Sequence, residues 1–477
     1  MIKKYNLKNF INYKFIKNLF REHIQTIFVE SIILSPFLRK LYILRSLSNF
    51  NKDKFKSHCK SPKLTIAILW DADRRFKWLH DEAYSRNINI FYFQRAIFRP
   101  VWNYLLIKNG YSINNELGEV PFEQIYDSKY LKKRERYLQF CRDASIEIKN
   151  YCKADIFLLP KLNDDWIIDL IKALRKENIN TTVHDREHGI SNQRMKIYPK
   201  MLSRHISDLK VDQLLVSNKL HKEFFIKCGY EQSDIIITGK PDTDYWFSKE
   251  LKPNKSEISS LIDPKKKLIL FFAFGRRNYL NFYYKGEKRN WLPLADDYHN
   301  TLENILNLHK DNVQVLYKIG GKPARDNYPN FNKFIKNIEK MKARDSLLIL
   351  DGNNSTLDLI NISDIIIGFH TLGIVEAMFT KKPIIYGAWG DLFSDIKDTL
   401  IPFHKWKGLT FCDSNESFKD EIEKLIINNK LRNISNEENK YRKLNREKIF
   451  YKPDGNTSKR ILNAIEKLVY NKSTLKN

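Results

Sequence analysis

Cysteine is scarce in this chain and poorly placed for chemistry. The 477 residues hold five, Cys59, Cys141, Cys152, Cys228 and Cys412, far apart and with no Cys-x-x-Cys or Cys-x-x-His spacing. That pattern argues against both a disulfide framework and a zinc site. A long apolar run is also missing. The most apolar stretch, Ile24 to Leu44, is broken by Glu30, Pro36, Arg39 and Lys40, which does not suit a bilayer-spanning helix. The basic start MIKKYNLKNF leads into neither an apolar signal region nor a small-residue cleavage site, so the expected compartment is the cytoplasm. No Gly-x-x-x-x-Gly-Lys-Ser/Thr occurs, so P-loop hydrolysis is not indicated. There is no repeat of 20 to 50 residues and no low-complexity tract.

Acid is the minority charge. Lys plus Arg number 83 against 56 Asp plus Glu, a formal net charge of +27 that favours an anionic partner. Nucleic acid, an anionic membrane surface and phosphorylated substrates all qualify. The basic residues are mostly lysines spread along the chain and no nucleic-acid module accompanies them, so a nucleic-acid-binding protein is kept only as the non-enzyme alternative. What is present in quantity is core material. At 42% hydrophobic and 13% aromatic, a chain this long supports two ordinary domains and an extension.

Residues 1–60 hold thirteen Lys/Arg against three Asp/Glu, with apolar residues in helical clusters such as Ile16, Leu19 and Phe20. The segment reads as a basic amphipathic helical extension. It either lies on an anionic leaflet, where apolar burial and lysine attraction add, or packs on the body of the protein. From Lys63 short apolar runs alternate with amphipathic stretches: LTIAILWD (64–71), NIFYF (89–93), DIFLLP (155–160), TTVHD (181–185) and QLLVS (213–217). After the polar stretch 251–267 a second series follows: LILFFAF (268–274), VQVLYKI (313–319), SLLILDG (346–352), DIIIGF (364–369) and KPIIYG (382–387). This rhythm predicts βα units and parallel sheets. The expected fold class is therefore α/β, with two Rossmann-like doubly wound domains (61–250 and 265–433) facing a cleft. Residues 434–477 are expected to form a helical segment that packs back across them. Ligands in such sheets bind at the carboxyl ends of the strands.

The sharpest local signal is DIIIGFHTLGIVEAMFTKKPIIYG (364–387): a buried strand, a short turn, a helix beginning near Thr371, and another strand. Amides at a helix start suit phosphate, with His370 and Thr371 as added donors and Gly368 and Gly373 allowing close approach. Glu376, about one and a half turns into that helix, is positioned to accept ribose hydroxyls or else faces solvent. Gly275 and Arg276 follow the strand 268–274 directly, and Lys318 ends VQVLYKI. Arg276 and Lys318 are the cations best placed to neutralise a leaving diphosphate, though either could instead be a solvated surface charge. In the first half, TTVHDREHGISNQ (181–193) crowds His184, Asp185, Arg186, Glu187 and His188 into one strand-end loop, where a general base for an acceptor hydroxyl would sit. The same residues would also serve as a helix cap and hydrogen-bond network. Two Asp-x-Asp triplets, Asp71 with Asp73 and Asp242 with Asp244, read as strand-end turns, and no metal is expected.

The segment 364–387 resembles the donor-nucleotide site of GT-B-fold glycosyltransferases and their relatives. The retaining branch places two glutamates eight positions apart; here Glu376 matches the second while Gly368 stands at the first, which leans toward inverting relatives, including the CDP-glycerol glycerophosphotransferase group. Gly275-Arg276 with Lys285-Gly286 resembles the element that opens many nucleotide-binding halves of that superfamily. His188-Gly189 resembles the His-Gly of glycerophosphotransferase-like enzymes, which implies His188 as the base, with Asp185 and Glu187 as rivals. ITGKPDTDYW (237–246) and YKPDGNTSKRI (451–461) resemble further stretches of that group, although Lys240 and Thr243 replace commoner residues. The expected function is a metal-independent glycosyltransferase of cell-surface polysaccharide synthesis, with a nucleotide-sugar donor, a glycan or lipid-linked acceptor and no cofactor. The protein would be cytoplasmic, possibly peripheral on the inner membrane face. The alternatives are a CDP-polyol phosphotransferase and a nucleotide-sugar 2-epimerase.

Overall fold

The computed structural model describes residues 26–51, 61–70, 77–110, 127–162, 165–185, 191–249, 252–273, 282–284, 287–319, 344–350, 354–427 and 434–474. Two six-stranded sheets, parallel throughout, organise them. The first carries β1 (Leu64–Trp70), β2 (Ile88–Gln94), β3 (Ile156–Leu159), β4 (Thr181–His184), β5 (Gln213–Val216) and β6 (Ile235–Ile237), in the order β2-β1-β3-β4-β5-β6. The second carries β7 (Lys267–Phe272), β10 (Val313–Lys318), β11 (Leu347–Leu350), β12 (Ile365–Gly368), β13 (Ile384–Gly387) and β14 (Thr410–Cys412), in the order β11-β10-β7-β12-β13-β14. A small antiparallel pair, β8 (Phe282–Tyr284) and β9 (Glu287–Arg289), lies between β7 and β10 in sequence.

The composition of the strands explains the layering. β3, β4, β5, β12 and β13 are buried at every residue, as strands covered by helices on both faces must be. The ten runs picked from the sequence correspond to β1–β5, β7 and β10–β13. β6 and β14 were missed because three residues each give too short an apolar run, and β8–β9 because FYY and EKR carry no common apolar face.

Chain crossing between the halves happens at one knot. After β6, Gly239 has φ +96°, and a Cβ there would approach the Phe450 carbonyl to 3.1 Å and the Thr457 hydroxyl to 3.2 Å, so glycine is required on both counts. The turn Pro241–Phe247 follows. Its Asp244 carboxylate accepts the backbone N–H of Thr457 at 3.0 Å and of Ser458 at 2.8 Å, capping the C-terminal helix Thr457–Thr474. Burial raises the Asp244 carboxyl above its usual range, against the opposing pull of those N–H groups. The triplet 242/244 is thus a turn whose second acid is a helix cap, while Asp71 and Asp73 lie outside the described residues.

The two terminal helices divide their packing. In Asn436–Phe450, the buried Arg442 donates to the carbonyls of Gly408 (2.6 Å), Thr380 (2.9 Å) and Lys382 (2.8 Å), all in the second half. Thr457–Thr474 instead lays Ile461, Leu462 and Ile465 against Ile66, Ile68 and Leu215 of the first sheet. Arg460 closes the junction by binding the Thr238 carbonyl at 2.8 Å and both Asp454 oxygens.

Replacing Asp244 with Ala leaves two buried helix-terminal donors without their acceptor, and should cost about 1–3 kcal/mol of unfolding free energy. Asp244→Asn, which keeps one acceptor oxygen, should lose less. Denaturant titration of both variants checks the order; equal stability of Asp244→Ala and the parent chain would remove the cap from the account.

Candidate active site

Strand order locates the crevices before any side chain is considered. In the second sheet β7 is flanked by β10 and β12, and the winding direction reverses between β7 and β12. In the first, it reverses between β1 and β3. Open α/β sheets bind ligands outside the carboxyl ends of strands at such points. The loop after β12, Phe369 to Leu372, is therefore at the second switch point, with the β7 loop beside it and Lys318 at the end of β10.

The turn after β12 is shaped by its neighbours within the protein. A Cβ on Gly373 would come within 2.5 Å of the Phe272 ring, and one on Gly368 within 2.9 Å of the Thr371 methyl and 3.3 Å of Phe272. Close approach is thus used here to seat the turn on Phe272, a correction to the expectation that these glycines serve ligand approach. The helix expected from Thr371 is five residues, Gly373–Ala377. Thr371 accepts the Gly373 N–H at 3.3 Å through its hydroxyl. His370 holds φ +43°, with its ring 5.4 Å from Phe403 and 6.0 Å from Phe369. Burial, helped by His404, pushes His370 down to about 4, so at neutral pH it offers one N–H and one lone pair but no charge.

Glu376 does not face open solvent. Its carboxylate forms an ion pair with Lys240, which reaches over from the first half; their side chains are 12% and 4% exposed. The Lys240 ammonium is also 3.4 Å from Asp242 and 5.6 Å from the Phe450 ring centroid. Beside the pair, Trp246 stacks on Phe379 at 5.5 Å with the planes 6° apart, and Arg446 sits 4.5 Å over the same Phe379 ring. Lys240 was met in the sequence as a departure from a motif. Its partner 136 positions away could not be read there.

Lys318 ends β10 with 8% exposure and stands in register with Phe272 and Leu350. Arg276 lies outside the described residues, as do Glu187 and His188. Of the first-half candidates, Asp185 is described. Its N–H extends the ladder to the Leu215 carbonyl at 3.0 Å, and its side chain is 1% exposed, with one carboxylate oxygen 3.7 Å from His221 Nε2. Burial first, then Arg194 and His184, drives the His221 pKa far down; a neutral ring at 3.7 Å makes neither a salt bridge nor a hydrogen bond with Asp185. His184 is committed as well, its Nε2 lying 3.0 Å from the Gly239 carbonyl. The chain re-enters the described region at Ser191, which caps the helix Asn192–Ser203, and Asn192 donates to the Asp398 carbonyl of the second half at 2.9 Å. Both flanks of 186–190 are thereby anchored, one to the first sheet and one across to the second half. Among the described residues there is no group of three or more metal-ligating side chains.

A family model matches residues 126–467, most of the chain, with four of the six strands of the first sheet and all of the second. This chain belongs to the CDP-glycerol:poly(glycerophosphate) glycerophosphotransferase family. It is accordingly a transferase of cell-surface polymer synthesis, and the two-sheet architecture is that of GT-B proteins. No curated protein matches the sequence. Among solved structures, the wall teichoic acid polymerase TagF aligns with a TM-score of 0.52 at 12% identity, over 95% of this chain and 98% of that one. A putative UDP-N-acetylglucosamine 2-epimerase from Listeria monocytogenes aligns at 0.51 and 14%, over 85% and 96%. The S. aureus MnaA complex with UDP aligns at 0.50 and 14%, over 84% and 96%. At these identities the likeness is one of fold.

Two outcomes follow from the geometry. Lys240→Met or Glu376→Gln leaves one nearly dry charge without its partner and should cost roughly 3–5 kcal/mol, whereas the double variant should recover much of that loss. Denaturation of all four proteins measures the coupling, and additive single losses would mean that the pair does not interact. Because His370 titrates near 4 when folded and near 6.5 when unfolded, its contribution is intact above pH 6.5 and is lost as pH falls toward 4, by about 2 kcal/mol at pH 5. His370→Asn, which tolerates the left-handed backbone, should flatten the fall in stability between pH 7 and pH 5.

Proposed function

We propose that this chain transfers a polyol phosphate from a CDP-activated donor to a hydroxyl of a growing cell-surface polymer. The observation that carries the reading is the family match over residues 126–467, which takes in the loop after β4 and the strand-end loops of the second sheet. It reverses the order expected from the sequence, where glycosyl transfer stood first.

In this reading Arg276 and Lys318 hold the donor diphosphate, and His370 and Thr371 contribute neutral donors beside it. Glu376 serves through Lys240, fixing the short helix after β12 in place and keeping the turn fitted to its ligand. On the opposite side His188 takes the proton of the acceptor hydroxyl, with Asp185 and Glu187 as rivals. The acceptor oxygen bonds to the phosphorus of the polyol phosphate while the bond to the bridging oxygen breaks, and CMP departs with that oxygen. Cations at the diphosphate stabilise the charge as it develops. No cofactor besides the activated donor enters the scheme. A second reading, glycosyl transfer from a nucleotide sugar, is favoured by the resemblance of 364–387 to a glycosyltransferase donor site and by the fold likeness to a protein whose structure contains UDP.

Product analysis separates them. Release of CMP from CDP-glycerol or CDP-ribitol in the presence of acceptor supports polyol-phosphate transfer, release of a nucleoside diphosphate supports glycosyl transfer, and donor conversion without acceptor marks an epimerase. With the productive donor, His188→Ala should lower kcat by about 10²- to 10⁴-fold and leave donor affinity little changed. If turnover survives there and fails instead in Glu187→Gln or Asp185→Asn, the base is a carboxylate.

A further inference from the structure

Two helices start at the carboxyl edge of the first sheet, and a cation from one meets a ring from the other. β2 ends at Gln94 and the helix Arg95–Leu105 opens on the next residue; β3 ends at Leu159 and leads into the helix Asp165–Lys176. The sheet is parallel, so both starts stand on one edge, on either side of the switch between β1 and β3. There the Arg95 guanidinium lies over the Trp166 ring, 5.2 Å from its centroid. Trp166 itself is well held. Tyr137 Oη donates to its carbonyl at 3.3 Å, the Phe98 ring packs at 6.0 Å, and one turn further along the helix Asp169 binds Arg134 at 2.9 Å. The Arg134 charge is thus matched by Asp169, and Arg95 supplies the positive charge at the ring. Trp166 is 5% exposed, and its indole N–H has no hydrogen-bond acceptor among the described residues, whereas a buried indole N–H ordinarily finds one.

We propose that Arg95 and Trp166 form a subsite for a phosphodiester of the acceptor polymer. Position chooses the occupant. β4, next to β3 in the sheet, leads into the loop that holds His188, so an acceptor whose hydroxyl reacts there passes the rest of its chain along this edge. The chemistry agrees: a guanidinium fixed on an aromatic face presents its N–H fork to phosphate oxygens, and the indole N–H adds a neutral donor. The subsite continues onto the helix Ser128–Cys152, which runs back from this edge toward the start of β3. Its first turns carry Lys129, Lys132, Lys133 and Arg136 at i, i+3, i+4 and i+7, one helical face, with Glu135 as the only acid over residues 128–136. Lys129, Lys132 and Arg136 are exposed. Such a stripe suits a chain with regularly repeated negative charge. Arg95 precedes the family match, which begins at residue 126, so that match does not itself supply this contact. The inference rests on the polyol-phosphate reading, in which the acceptor carries a phosphate at every repeat.

The test pairs donor-free binding of a fluorescent oligo(glycerol phosphate) to the full chain, read by anisotropy, with CMP release from CDP-glycerol onto the same oligomer. Arg95→Gln should weaken oligomer binding about tenfold and raise the acceptor KM to match, while kcat and the donor KM hold. Arg95→Lys, which keeps the charge without the planar fork, should recover part of that loss. Trp166→Leu should weaken binding in the same direction. Lys132→Gln with Arg136→Gln should weaken long oligomers and leave a single glycerol phosphate acceptor unaffected. Parent-like oligomer affinity in Arg95→Gln would overturn the subsite, and if that variant loses phosphatidylglycerol vesicles while keeping the oligomer, the edge belongs to lipid instead. If CMP appears with no acceptor at all, the polyol-phosphate reading fails by itself, and the anisotropy difference between the parent chain and Arg95→Gln still decides the subsite.

Discussion

The Lys240–Glu376 pair decides how the two halves stand toward each other. It joins the residue after the hinge glycine to the short helix at the second switch point, and both side chains are nearly dry. A charge pair removed from water is no simple source of stability, because desolvation offsets much of the attraction. What it supplies is discrimination: the two strand-end edges must meet in the one arrangement that leaves neither charge alone. Around it, the Trp246–Phe379 stack, the Asp244 cap and the buried Arg442 bring two sheets, a turn and two terminal helices into one packed knot.

Everything at the candidate active site hangs from that knot. β12 delivers His370 and Thr371 to the edge of the second sheet, β10 delivers Lys318, and β4 leads into the loop that holds His188. Asn192 makes a second bridge from the far flank of that loop to Asp398. A transferase needs a donor gripped on one side and an acceptor hydroxyl deprotonated on the other, with water kept away between them. Rigid sheets that present their strand ends to a common cleft meet the first requirement, and an interlocked hinge holds the two sides in register. Burial keeps His370 uncharged, so in the proposed scheme the phosphate charge falls to the Arg and Lys candidates.

The basic excess also divides by region. Lys318 lies at a strand end of the second sheet, and thirteen Lys/Arg lie in the first sixty residues, whose described helix exposes several apolar side chains. These are two separate places for one sign of charge. A single number such as +27 cannot distinguish them, since it has no geometry.

How much was legible follows from the range of each interaction. Burial of a parallel sheet on both faces demands short, wholly apolar runs, so ten of the twelve main strands, and with them the two-sheet fold class, could be read from residue order. The stretches 237–246 and 451–461 stood out through their resemblance to the glycerophosphotransferase group. Their meaning did not: that Asp244 caps a helix starting 213 positions later, or that Lys240 neutralises Glu376, depends on chain segments brought together only by the folded core. The sequence shows Glu376 as a helical carboxylate and cannot show the lysine opposite it. Gly368 and Gly373 were read as room for a ligand, when Phe272, a hundred residues earlier, fills that room. Periodicity and local propensity are written in neighbouring residues and so belong to the sequence; electrostatic pairing and steric fit across the cleft arise between distant ones and were decided by tertiary structure.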